Sequence, residues 1–274
     1  MSGTVVRAVI PEDSRRAESA TRDIAAGAGG RLRIAEPLVS FTAPSSFEAE
    51  QYRTLRHLVE RKTREDRSQV LAVTSPGAGD GKTITTLNLA GSLAQSPEAR
   101  VLVIDADLHR PAVDRYLGLT AARSPGLAEA ILHEDRGLAR CVRRLEPLNV
   151  SVLLAGGRSA GPYELLASPR LEDVLAEARQ SYDYVLIDTP PVVPLADSRL
   201  LSRVSDGYII VVAAHKTPRR VLAEALDLID RSKIVAVVFN GDDRRLSAYD
   251  YGYYGSADAP AKSSPRRAAW WRRR

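Results

Sequence analysis

Continuous apolar runs recur along the chain at residues 70–74, 101–105, 152–154, 184–188, 208–213 and 234–239. They are rich in Val, Ile and Leu and lack polar alternation, which predicts strands buried on both faces. Between them, apolar residues recur at helical spacing over 83–94, 127–133, 169–180, 195–204 and 218–231. This alternation predicts a doubly wound, mostly parallel α/β sheet with helices on both faces. Ahead of the first strand, Ser46 is placed to cap a helix running to about residue 62. Tyr52, Leu55, Leu58 and Val59 form its apolar face, and Glu50, Arg53 and Arg56 form a polar stripe at i, i+3 and i+6.

Residues 1–44 are rich in Ala, Gly, Arg and Ser, which predicts a flexible arm without a packed core. The domain proper is expected over residues 45–242. Beyond Asn240 the chain becomes polar and rich in Gly, Tyr and Arg, so 243–274 reads as a flexible tail. That tail ends in Trp270, Trp271 and three arginines, a solvated basic end or one suited to an anionic membrane surface.

Composition narrows the class. With 44% hydrophobic and 27% charged residues over 274 positions, the chain is an ordinary globular protein. Its 39 Lys and Arg against 34 Asp and Glu leave +5, too little to imply a nucleic-acid partner. A single cysteine, Cys141, excludes a disulfide framework and any multi-cysteine metal site within one chain. No apolar stretch approaches the roughly 18 residues of a membrane span. The expectation is a cytoplasmic protein held at any membrane by something else.

The chemistry concentrates in three segments. Ser75-Pro-Gly-Ala-Gly-Asp-Gly-Lys-Thr83 follows a buried-type strand and opens a helix. Backbone N–H groups of Gly77, Ala78, Gly79, Asp80 and Gly81 would wrap phosphate oxygens at the helix N-terminus, with Lys82, Thr83 and Ile84 completing the cradle. Lys82 would reach the β- and γ-phosphates and the Thr83 hydroxyl would take Mg²⁺. The strict phosphate-loop pattern departs at its first position, Pro76. Asp105 and Asp107 leave the end of the next strand, where an open α/β sheet places its ligand crevice, and suit a Mg²⁺ or base role. Asp188 ends a later strand in Val-Leu-Ile-Asp and suits a Mg²⁺ held through its water shell. Separately, Tyr249, Tyr251, Tyr253 and Tyr254 crowd four of the chain's 10 tyrosines into six positions among Asp, Gly, Ala and Ser. This is either a set of accessible phenols or an adhesive aromatic tail.

Together these segments resemble the deviant Walker ATPases, the superfamily shared by partition proteins and bacterial tyrosine kinases. Residues 76–83 stand as Walker A, 101–107 as Walker A′ and 185–188 as Walker B. The partition and iron–sulfur-carrier branches carry a signature lysine one residue after the first motif position, where this chain has Gly77. The resemblance is therefore to the capsular and exopolysaccharide tyrosine autokinases. Glu50-Gln-Tyr-Arg53-Thr-Leu-Arg56 resembles their ring-forming helix, Glu164-Leu-Leu-Ala-Ser168 a segment before Walker B, and the tyrosine cluster their phosphoacceptor tail. His109-Arg110-Pro111 departs from the two basic residues usual before that proline.

The resemblance implies ATP and Mg²⁺ as cofactors, Lys82, Asp105 and Asp107 as catalytic, Thr83, Asp107 and Asp188 at the metal, and Asn240 at the adenine. It further implies phosphorylation in trans within a ring-like homo-oligomer. A membrane chain-length regulator of the Wzz type would be the activating partner, and a tyrosine phosphatase would reverse the reaction. A partition-type ATPase switch that dimerises on ATP is the alternative.

Overall fold

An eight-stranded sheet organises the chain in a computed structural model that describes residues 5–8, 20–26, 30–62, 68–119, 125–133, 137–157, 161–195 and 197–241. The tyrosine cluster and the basic tail lie outside the described residues. The strands are β1 (Val5–Ala8), β2 (Thr21–Ala26), β3 (Gly30–Ala35), β4 (Gln69–Thr74), β5 (Val101–Asp105), β6 (Arg143–Leu145), β7 (Val150–Leu153), β8 (Tyr184–Asp188), β9 (Gly207–Ala213) and β10 (Ile234–Asn240). The main sheet runs β1-β10-β9-β4-β8-β5-β7-β6, parallel except for the edge pair β6–β7. Strands β2 and β3 form a separate antiparallel hairpin.

The principal helices are α1 (Phe47–Lys62), α2 (Lys82–Leu93), α3 (Leu127–Leu132), α4 (Pro162–Ala167), α5 (Arg170–Ser181), α6 (Asp197–Val204) and α7 (Arg219–Asp227). The Ser46 hydroxyl accepts from the Ala49 amide, 3.1 Å away, and so caps α1. Strand pleating sends Leu71, Val73, Val101 and Val103 into one core with Tyr52, Leu55 and Val59 of α1 and Leu87 of α2. It sends Val70, Leu102, Ile104 and Val185 into another with Leu127, Leu165, Val174 and Leu201 of α3 to α6. Helix α7 covers Ala72, Ile210 and Val212 at the β9 side. Burying each such aliphatic side chain stabilises the fold by about 1.5–3 kcal/mol, so both faces must be covered. The parallel, doubly wound architecture follows.

The arm expected over residues 1–44 needs correction. Ile34 and Leu38 are fully buried, and Ala35 nearly so. Asn88, inside α2, fixes this stretch: its Oδ1 accepts from the Ser40 amide at 2.9 Å and its Nδ2 donates to the Pro37 carbonyl at 2.9 Å. β1 pairs in parallel with β10, from Val5 opposite Val237 to Ala8 opposite Asn240. Few apolar residues suffice here because a buried amide supplies the partners for backbone that would otherwise lose its water. On the other side, the chain divides after Asp242.

Candidate active site

The phosphate loop turns on two left-handed glycines, Gly79 at φ +76° and Gly81 at φ +97°, which a side chain would strain. Within it, the Gly77 amide donates to Asp80 Oδ2 at 3.0 Å, and the Ser75 hydroxyl donates to the Gly77 carbonyl at 2.6 Å. Strand ends brace it from beneath: Val192 N donates to the Ser75 carbonyl at 2.9 Å and Thr74 Oγ1 to the Pro190 carbonyl at 3.1 Å. From the far strand, Asn240 Nδ2 donates to the Asp80 carbonyl at 2.9 Å, which places this residue beside the loop.

Lys82 and Thr83 open α2 directly over the ends of β5 and β8. Lys82 Nζ donates to Asp107 Oδ2 at 2.8 Å and lies 3.9 Å from Asp188 Oδ1. Burial alone would push the Lys82 ammonium down, but the charges of Asp188 and Asp107 together outweigh it and hold it up. The Thr83 hydroxyl donates to Asp188 Oδ2 at 2.6 Å. Asp188 is fully buried, and burial pushes its carboxyl up against the opposing pull of Lys82 and Thr83.

Asp105 and Asp188 are direct partners in the register of neighbouring strands. Asp105 nevertheless turns away from the cavity. Its Oδ1 accepts from the Asp107 amide at 3.2 Å, and its Oδ2 accepts from the amides of Ala112 at 3.0 Å and Val113 at 3.1 Å. Burial, with the Asp188 charge second, pushes the Asp105 carboxyl up to about 8. Asp107, by contrast, lines the cavity and is steadied by the Arg110 amide, which donates to its Oδ1 at 3.0 Å.

Lys82, Thr83 and Asp107 border a cavity of about 690 Å³ whose walls also include Gly79, His109 and Lys216, while Asp188 lies fully buried behind them. Lys216 and the Asp197 partner of His109 escaped the sequence reading, which marks His109 itself only as a departure from the usual basic pair. His109 Nε2 lies 2.6 Å from Asp197 Oδ2, a buried carboxylate on α6 that is 88 positions away. Lys216 Nζ donates to the Gly79 carbonyl at 2.8 Å, across 137 positions. Spacing that long leaves no local signal in the sequence.

The donor set fits Mg²⁺. Thr83, Asp107 and Asp188 offer hard oxygen ligands, and Asp188 Oδ1 is buried with no hydrogen-bond partner among the described residues. No group of three or more His, Cys, Asp or Glu side chains among the described residues converges to chelate a metal alone. That matches an ion shared between one or two carboxylates, water and substrate phosphates.

The predicted oligomerisation residues are engaged within their own chain. Arg53 Nε donates to Glu50 Oε2 at 2.6 Å, and its guanidinium also donates to the Pro44 carbonyl at 2.7 Å. Arg56 donates to Glu60 Oε1 at 2.6 Å and to the Ser92 carbonyl, at the end of α2, at 2.9 Å.

Comparison with known proteins agrees with this geometry. A family model described as an AAA domain matches residues 68–234. The tyrosine-protein kinase YwqD of Bacillus subtilis is 33% identical over 82% of this chain and 94% of its own length. The succinoglycan biosynthesis transport protein ExoP of Rhizobium meliloti is 30% identical over 80% of this chain, which spans only 28% of that longer relative. In solved structures, the kinase domain of the Escherichia coli tyrosine kinase ETK superposes with a TM-score of 0.75 over 92% of this chain and 95% of that one, at 24% identity.

Proposed function

The chain belongs to the bacterial tyrosine kinases, and from that premise we propose that it phosphorylates the tyrosines of its own C-terminal cluster, Tyr249, Tyr251, Tyr253 and Tyr254, between subunits. The single observation that carries this reading is the meeting of Lys82, Thr83, Asp107 and Asp188 at the mouth of a glycine-built phosphate loop.

Phosphoryl transfer is mainly positioning and charge neutralisation. The loop amides and Lys82 would hold the β- and γ-phosphates of ATP, and Asn240, which bonds the Asp80 carbonyl, would contact the adenine. When bound, Mg²⁺ supplies neutralisation of the phosphate charge, with Thr83 and Asp188 as the residues that hold it and Asp107 beside them. The acceptor phenol oxygen bonds to the γ-phosphorus as the bond from that phosphorus to the ADP oxygen breaks. Asp107, the carboxylate facing the cavity, takes the phenol proton. Asp105 keeps the 107–113 loop in place through its backbone bonds and aims Asp107 rather than touching substrate.

The process served is surface-polysaccharide polymerisation or export, a reading supported by the name of the ExoP relative. Recruitment to the inner face of the membrane is assigned to a partner of chain-length-regulator type. No helix among the described residues is long and apolar enough to cross a membrane. A ring-like homo-oligomer and a reversing tyrosine phosphatase complete the proposal. The test is an anti-phosphotyrosine blot of purified protein incubated with MgATP. Signal in wild type and none in Lys82→Met is expected, since losing one clamping charge removes on the order of 3 kcal/mol of transition-state stabilisation. A Lys82→Met protein with wild-type signal would overturn the assignment.

A further inference from the structure

Lys216 has no place in the scheme above, yet it stands on the wall of the same cavity as Lys82. It lies in the turn after β9, directly after His215, whose backbone is left-handed at φ 60°. Its ammonium donates to the Gly79 carbonyl at 2.8 Å, in the middle of the phosphate loop. So close is the approach that a Cβ at Gly79 would come within 2.9 Å of Nζ. The same turn reaches Asp80: burial pushes that carboxyl up, while the Gly77 amide, Thr217 and Lys216 draw it back. An ammonium carries three donors, and the bond to Gly79 uses one.

Gly77 gives this placement its meaning. That position is not left-handed, and a Cβ there would meet only Asp80 Oδ2, at an ordinary 3.7 Å. Backbone geometry thus leaves room for a side chain where relatives of the partition branch carry a lysine. The second positive charge at the loop comes instead from the turn after β9.

We propose that Lys216 is a second phosphate-contacting residue of the nucleotide site, one that exchanges the Gly79 carbonyl for a phosphate oxygen when nucleotide binds. The inference rests on the nucleotide-site reading above. Exchange is favourable because the ammonium then meets a full negative charge at close range in place of a neutral carbonyl dipole. Lys216 is exposed, so its contribution is electrostatic and open to screening by salt.

The experiment titrates wild type, Lys216→Gln and Lys216→Arg with a fluorescent ATP analogue at about 0.05 M and about 0.5 M salt, with melting temperature as the folding control. Gln keeps one donor for the Gly79 carbonyl but removes the charge. The expected result is an affinity roughly tenfold weaker for Lys216→Gln at low salt. That gap should close at high salt, and Lys216→Arg should restore most of the affinity. Equal affinities at low salt overturn the proposal. So does a gap that salt leaves unchanged, since that marks a brace for the loop rather than a phosphate contact. Wild type that fails to bind the analogue at either salt overturns the nucleotide site itself, and with it this inference. Wild type that binds beside an unaffected Lys216→Gln overturns only the role of Lys216.

Discussion

Thr83 and Asp188, 105 positions apart in sequence, share a hydrogen bond of 2.6 Å that joins the first turn of α2 to the end of β8. The bond satisfies one oxygen of a fully buried carboxylate and leaves the other with no hydrogen bond among the described residues, only the Lys82 ammonium 3.9 Å away. A buried anion with one oxygen short of a hydrogen bond costs stability, and a site that tolerates the cost is a candidate for chemistry.

Replacing that charge should therefore separate stability from activity. Asp188→Asn keeps an acceptor for Thr83 and removes the burial cost of the charge and its repulsion with Asp105, its register partner. Together these outweigh the lost attraction to Lys82, because the carboxyl is pushed up on balance. The ligand-free protein should gain about 1 kcal/mol, a rise in Tm of roughly 2–4 °C. Phosphotyrosine formation should fall by at least about a hundredfold. Calorimetry showing a lower Tm in the variant would remove the charge-burial argument.

Changing Tyr249, Tyr251, Tyr253 and Tyr254 together to Phe should remove most phosphate acceptance while ATP binding persists. Phosphopeptide mapping decides the point. Label on Tyr163, which is 47% exposed, would mean that the acceptors lie elsewhere.

The α1 arginines should divide into two kinds. Arg53 bonds near its own helix, to Glu50 and the Pro44 carbonyl, so Arg53→Glu should leave the fold near wild-type stability. Arg56 anchors α1 to the Ser92 carbonyl of α2, so Arg56→Glu should lower stability by about 1–3 kcal/mol. If α1 also forms a ring contact, Arg53→Glu alone should reduce the mass seen by light scattering and weaken autophosphorylation. An unchanged mass in Arg53→Glu would remove the ring role from this residue.

One acid-sensitive pair lies at the opposite end of the strands from the cavity. Asp183 accepts from the Arg100 amide at 2.9 Å and from its guanidinium at 2.6 Å. These bonds hold the Asp183 carboxyl below its ordinary value of 3.8. A depressed folded value means stability present above the ordinary value and lost as pH falls through the folded one. The pair is exposed, so the contribution is small, about 0.5 kcal/mol. Asp183→Asn should be less stable than wild type by that amount at neutral pH, with the difference shrinking below about pH 4. Paired urea titrations that give a constant difference across pH would contradict the linkage.

The strands were legible because β4, β5, β8, β9 and β10 are continuous Val, Ile and Leu runs that nothing but a doubly covered parallel strand explains. Edge strand β6, Arg143–Leu145, carries no such run and pairs antiparallel at the rim, so it left no pattern. Ile34 and Leu38 sit among Gly, Arg and Ala, and their burial is decided by Asn88, some fifty residues away. In the site, Lys82, Thr83, Asp107 and Asp188 stand at strand ends or helix starts, where local order predicts convergence. Lys216 and His109 act through partners that only the folded sheet brings near. Asp105 shows the converse: strand position marked it for chemistry, and three backbone amides occupy its carboxylate.

Helix α2 is buried along all twelve of its residues, and Lys82 opens it while Leu93 closes it. At about 1.5 Å per residue it is a rod of about 18 Å, enclosed by protein except where its first turn faces the cavity. Beyond that first turn it cannot roll or bend without breaking core contacts. Arg56 grips the Ser92 carbonyl at one end of this rod, and the phosphate loop lies at the other. Through that bond α1 and the phosphate loop are fastened to opposite ends of the same buried helix.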